Sequence, residues 1–136
     1  MDTGYWIALY SPRDRHHARA RELADQLSHL SIIFPWPILY ETVNTRLARD
    51  RDSLFHFEKV VTLSSTVTLD DIPYRDAALS LCFASALHVR PRPISLVDCV
   101  IRLILDSTDV KIDGLLTFNS GDFFDICKKR RIELIS

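Results

Sequence analysis

Four short stretches carry side chains that can do chemistry: Asp2 in MDTGYWIALY, Glu41 in WPILYETVNTRL, Asp98 in ISLVDCVIRLIL, and the group Thr117, Asn119, Ser120, Asp122 in LLTFNSGDF. The acids stand beside apolar residues, and an unpaired buried carboxylate costs several kcal/mol, so each needs a partner. Ordinary partners exist. Asp2 reads as a solvated terminal charge or a cap for a helix beginning at Thr3. Ser95 and Asp98 form an S-x-x-D capping box, and Arg102 lies four residues on, within pairing reach of Asp98. Glu41 falls mid-helix, with Asn44 and Thr45 on its face to orient it. Asn119 can cap the last helix, with Asp122 three residues later. Taken together, the acids form an ordered set along the chain. Clustered carboxylates repel one another unless a counter-charge is present. A hard divalent cation, Mg²⁺ or Mn²⁺, takes oxygen ligands and relieves that repulsion. Such an ion activates water and stabilises phosphoryl charge, which suits phosphodiester hydrolysis.

Other chemistries find less in the chain. His16, His17, His29, His56 and His88 show no zinc spacing with the cysteines. His16 and His17 read as surface residues of the second helix. The chain has only 3 glycines and no glycine-rich phosphate loop. No G-x-S-x-G elbow is present. Cys82, Cys99 and Cys127 are odd in number and lack paired spacing, which favours buried thiols in a reducing compartment over a disulfide framework.

These residues must be positioned by elements whose pattern is legible. A short helix is expected over 3–10. SPRD opens a second helix, with Ser11 as N-cap, Pro12 in its first turn and Asp14 closing a capping box. Ala18, Leu23, Leu27 and Leu30 give that helix one apolar face. A buried strand is expected at 31–34, ended by prolines 35 and 37. Helices follow at 38–49 and 53–63, then a strand at 66–69. A helix at 73–89 leads to PISLVDCVIRLILDS, a helix apolar nearly all round and so buried. Strands at 114–118 and 132–135 flank a helix over 121–130. Strands alternating with helices point to an α/β fold with a mainly parallel sheet. In such sheets ligands bind beyond the carboxyl ends of the strands.

A length of 136 residues fits a single domain, 1–136, and 47% hydrophobic residues supply a core. The apolar stretches are interrupted by Asp98, Arg102 and Asp106, so no membrane span is expected. Charges through the first thirty residues give no secretory signal, which points to the cytoplasm. A net charge of −1 excludes the globally basic surface of a tight non-specific nucleic-acid binder. The locally basic stretches at 13–22, 46–51 and 128–131 read first as solvated helix faces and are compatible with a phosphate-rich substrate.

The ordered stretches DTGYWIAL, YETVNTRL, ISLVDCVIRLIL and LLTFNSGDF resemble the PIN-domain family, closest to VapC-like toxin ribonucleases, over nearly the whole chain. The resemblance implies a three-layer sandwich with a mainly parallel sheet flanked by helices. Asp2, Glu41 and Asp98 match the family's acidic metal-site positions. Thr117 matches its late hydroxyl residue, but Asn119 stands where the fourth acid usually stands, and Asp122 is the nearest carboxylate. The expected catalytic set is therefore Asp2, Glu41, Asp98, Asn119 and Asp122, with Asp2, Glu41, Asp98 and Asp122 holding Mg²⁺ or Mn²⁺. The neutral Asn119 implies weaker binding of a second ion. The implied activity is metal-dependent endonucleolytic cleavage of RNA, and the implied partners are a small antitoxin and a second copy in a homodimer.

The family also begins with a central apolar strand ending at the first aspartate, whereas only Met1 precedes Asp2 here. Loss of such a strand would remove ladder hydrogen bonds and burial comparable to much of a ~5–15 kcal/mol stability. It would also set the terminal ammonium beside Asp2, in competition with a metal. Two other readings accompany this departure. One is a working chain a few residues longer than the sequence given. The other is a non-catalytic PIN-like module that binds nucleic acid or protein.

Overall fold

A computed structural model describes residues 1–87 and 93–136. The chain is mixed α/β, with seven α-helices and four short strands among the described residues. It forms two compact units. The first comprises Met1–Leu69 with Leu116–Phe118, and the second Asp70–Leu115 with Asn119–Ser136.

The first unit opens with α1, Thr3–Tyr10. Gly4 and a majority of aromatic or β-branched residues give this octapeptide poor intrinsic helicity, so burial must hold it. Tyr5, Trp6 and Ala8 are all buried. Trp6 stacks on Phe34 at 4.9 Å and meets Phe57 edge-on at 5.3 Å. Aromatic pairs of this kind contribute about 0.5–1.5 kcal/mol each beyond their burial. Desolvation pushes the buried Tyr5 hydroxyl up to about 12.

Helix α2 runs His17–Gln26, five residues later than SPRD implies. Asp14 does not close a box with Ser11. Its Oδ1 accepts from the His16 N–H at 2.8 Å, and its carbonyl accepts from the His17 N–H. An aspartate that bonds its own backbone two residues on makes a turn, and that turn displaces the helix start.

Strand β1, Ile32–Pro35, pairs in parallel with β2, Thr66–Leu69, in the register Ile32↔Thr66 to Pro35↔Leu69. Parallel pairing demands a long crossover. It is made by α3, Trp36–Val43, a 3-10 turn over Arg46–Arg49, and α4, Arg51–Val61. Pro37 lies in the first turn of α3, where its missing N–H costs nothing. Helix α3 stops six residues before the expected end. Asn44 Nδ2 donates to the Tyr40 carbonyl, and Thr45 Oγ1 donates to the Thr42 carbonyl while accepting from the Leu47 N–H. These side chains take over helix carbonyls and release the backbone. Asp50 then caps α4 through the Ser53 N–H.

The second unit is built on α5, Arg75–Ala86, and α6, Leu96–Asp106. Of the helix expected over 73–89, His88 and Val89 lie outside the described residues. Helix α6 buries Cys99, Val100, Ile101, Ile104 and Leu105, while Leu96 stays exposed, so one face and not the whole circumference is covered. Strand β3, Gly114–Leu116, pairs with β4, Glu133–Ile135. A Cβ on Gly114 would stand 3.3 Å from Ile135 Cδ1, so glycine permits that approach. Between them lie a 3-10 turn at Ser120–Asp122 and α7, Phe124–Arg130. Arg131 ends α7 at φ 58°, and the Ile132 N–H returns to the Cys127 carbonyl, the cap glycine usually makes. The four strands therefore form two hydrogen-bonded pairs, where one mainly parallel sheet was expected. Strands of three or four residues leave little edge for further pairing.

The thiols are free, with Cys99 and Cys127 buried and Cys82 half-buried. Burial pushes the Cys99 thiol up to about 11, which makes it a poor nucleophile at neutral pH. No helix among the described residues is long and apolar enough to cross a membrane.

Candidate functional site

Asp2 occupies the N-cap position of α1, yet its side chain makes no capping bond. Its backbone N–H donates to the Leu116 carbonyl at 2.9 Å, laying residue 2 along the end of β3. Its carboxylate, 8% exposed, accepts instead from the hydroxyl of Thr117, which is fully buried, at 2.8 Å. The reading of Asp2 as a stray terminal charge or a helix cap therefore fails in the structure. Met1 is alongside: burial pushes its ammonium below the usual range, and Asp2 pulls it the other way.

The next residue completes the arrangement. Thr3 Oγ1 donates to Glu41 Oε2 at 2.5 Å, joining the first turn of α1 to α3. Glu41 is exposed whereas Asp2 is buried. Asn44 and Thr45, expected to orient Glu41, end α3 as described above. Thr3 is the residue that holds Glu41, and nothing in the helix pattern of the sequence marks it. The first unit thus gathers Asp2, Thr3, Glu41 and Thr117. Asp2 Oδ1 and Glu41 Oε1 carry no hydrogen bond to a described residue.

Both hydroxyls orient a carboxylate without cancelling its charge. Carboxylates and hydroxyls are the oxygen donors a hard divalent cation takes, and such an ion is commonly bound through one or two carboxylates while retaining its waters. Among the described residues of either unit there is no group of three or more His, Cys, Asp or Glu side chains placed to hold a metal ion.

The histidines beside this cluster are more engaged than their sequence setting implies. His17 Nδ1 donates to the Ala8 carbonyl at 2.8 Å. The His16 ring lies flat on Phe118, the residue after Thr117, at 4.3 Å and 5°. Arg15 Nε donates to His16 Nε2, which fixes that nitrogen as an acceptor.

Asp98, Asn119 and Asp122 belong to the second unit. Ser95 and Asp98 make the capping box the sequence implies: the Asp98 N–H donates to Ser95 Oγ, and Ser95 Oγ lies 2.8 Å from Asp98 Oδ2. Arg102 does not turn to Asp98. Its guanidinium grips Asp125 through two bonds of 2.7 and 2.6 Å and also reaches the Asp122 carbonyl. The guanidinium beside it holds the Asp125 carboxyl down at about 2. Asn119 Nδ2 donates to Asp122 Oδ2 at 2.5 Å, so the two candidates for the fourth acidic position are bonded to each other.

No protein-family model matches the chain, and neither do any curated protein or solved structure.

Proposed function

We propose that the chain is a divalent-metal-dependent endoribonuclease of the PIN type, a three-layer sandwich in that family's manner, with Asp2 and Glu41 as metal-holding carboxylates. One observation carries this reading: two acids 39 positions apart are each held by a threonine hydroxyl, and no arginine or lysine among the described residues neutralises either of them. A fold that orients two carboxylates without a cationic side chain leaves their charge for a ligand. Bound Mg²⁺ or Mn²⁺ supplies Lewis-acid stabilisation of phosphodiester charge and activates water. Thr117 fixes the rotamer of the buried Asp2, and Thr3 fixes Glu41. Asp2 and Glu41 would hold the ion, and Glu41, the exposed one of the two, would also be reachable by a proton given up by water. The resemblance adds Asp98, Asn119 and Asp122 to the site, and it adds RNA, a small antitoxin and a second copy as partners, in the cytoplasm.

Calorimetric titration with Mn²⁺, paired with cleavage of an end-labelled single-stranded RNA, tests this. The wild-type protein gives a one-to-one isotherm that Glu41→Ala loses. Asp98→Ala stays folded and no longer cleaves. Cleavage that survives EDTA, or full activity in Asp98→Ala, defeats the assignment. A binding-only PIN-like module is the second reading, favoured by the neutral Asn119 bonded to Asp122. Its signature is RNA retention with no cleavage in Mn²⁺.

A further inference from the structure

The two tryptophans have opposite fates. Trp6 is buried in the aromatic core, whereas Trp36, at the start of α3, is 41% exposed. Tyr40, one helical turn later, is 56% exposed, and its ring lies 5.4 Å from that of Trp36 at 35°. Val43 extends the same stripe by another turn and is also exposed. Phe55 and Phe124 are exposed as well, but each carries a lysine ammonium over its ring, from Lys59 and Lys128, whereas Trp36 and Tyr40 adjoin each other on one helix face.

Two features identify what the stripe suits. The chain leaving α3 passes directly into the turn that carries Arg46 and Arg49. Both are exposed, and neither forms an ion pair with a described residue. Glu41, the exposed member of the acidic pair, follows Tyr40 immediately. Stackable rings on a helix that leads into such guanidinium groups complement a polyanion whose monomers present π-faces, which is single-stranded nucleic acid. A duplex keeps its bases stacked on one another and offers the rings nothing. The exposed apolar residues of α5 differ. Leu79 and Phe83 are exposed, but the nearby Arg75 is bound to Asp71.

The geometry points to Trp36 and Tyr40 as a base-stacking platform for single-stranded RNA, with Arg46 and Arg49 taking its phosphates, on the helix that carries Glu41. This rests on the ribonuclease reading for its choice of RNA, and its test is made separable by removing metal. Anisotropy of a fluorescein-labelled 12-nucleotide single-stranded RNA is measured with the full chain in EDTA, alongside quenching of tryptophan emission. Base–aromatic stacking implies that Trp36→Ala and Tyr40→Ala each weaken binding about 5- to 100-fold, with Trp36→Phe restoring most of it. Emission quenching by RNA disappears in Trp36→Ala, because Trp6 is buried. Arg46→Gln with Arg49→Gln lowers the slope of log affinity against log salt by about 0.7 for each phosphate no longer neutralised. Circular dichroism confirms that each variant is folded, and the exposed arginine variants provide the readout if an aromatic variant is not.

Unchanged affinity in both alanine variants overturns the platform, as does equal affinity for duplex. Concentration-dependent self-association that Trp36→Ala abolishes without altering RNA affinity also overturns it, in favour of a protein partner. RNA binding that needs both rings, with no cleavage once Mn²⁺ is added, keeps the platform and removes the nuclease. Cleavage with affinity indifferent to the rings does the reverse.

Discussion

One pair of acids in each unit is handled in an opposite way. In the first, Asp2 and Glu41 are held by threonine hydroxyls, which orient but do not neutralise. In the second, Asp125 is clasped by Arg102 and Asp71 by Arg75, so guanidinium groups cancel the charge locally. A carboxylate answered by arginine is a structural part whose partner is already in place. A carboxylate answered by hydroxyls remains available to a cation from solution. A hydroxyl partner alone does not mark a site, since Ser53 also donates to Asp50, the cap of α4. The two acids tied to the first turn of α1 and to its neighbouring strand end are the ones the proposed function uses.

The largest expected difference is in stability. Arg102→Met removes a mostly buried guanidinium bonded to a carboxylate and a carbonyl, and should cost about 3 kcal/mol by urea unfolding. Asp2→Asn keeps an acceptor for Thr117 and should change stability in EDTA by less than about 1 kcal/mol. Comparable losses from the two would erase the distinction. Next is the response to metal. At a free Mn²⁺ concentration about 100 times its Kd, linkage raises wild-type stability by about 2.7 kcal/mol. Calorimetric scans should show that rise in Asp125→Asn and lack it in Asp2→Asn and Glu41→Gln.

A third test concerns hydroxyls. Thr42, beside Glu41, is fully buried, and its Oγ1 has no hydrogen-bond partner among the described residues, unlike Thr3 and Thr117. Thr42→Val keeps the shape, removes an unsatisfied group, and should raise stability by about 1 kcal/mol in thermal unfolding. The smallest effect is in acid. The Asp125 carboxyl ionises at about 2 when folded, against an ordinary 3.8. A depressed folded value means that its contribution is complete above about pH 4 and is lost as the pH falls towards 2. Asp125 is largely exposed, so the contribution is modest. Asp125→Asn should lower the urea midpoint modestly above about pH 4 and flatten its fall across that window, so that the two proteins converge as the pH approaches 2.

The fold was most legible where one local rule governed an element. The strand at 66–69 and the helix at 3–10 were found at their ends, and the Ser95–Asp98 box formed as its spacing implies. Boundaries failed where polar side chains competed for the backbone. Asp14 delayed α2, and Asn44 with Thr45 shortened α3, because a short-range hydrogen bond can outweigh helix periodicity. The candidate site was half legible. Asp2 and Glu41 stood out as acids in apolar surroundings, and Thr117 stood out through the family resemblance. Thr3 could not be found, since its role depends on a helix 38 positions away. Arg102 was assigned to the acid four residues before it, while its partner is 23 residues downstream.

The bond between Thr117 and Asp2 spans 115 positions of sequence. A ribosome delivers the amino end first, so Asp2 emerges while its donor is still untranslated. Closing so long a loop comes late in folding, after the nearby helices and turns have formed. The first acid of the proposed site is therefore fixed only once most of the chain exists. A product terminated between Glu41 and Thr117 carries Asp2, Thr3 and Glu41 and still lacks the hydroxyl that sets Asp2 in place. Such a fragment has residues of the proposed site without the bond that sets the first of them.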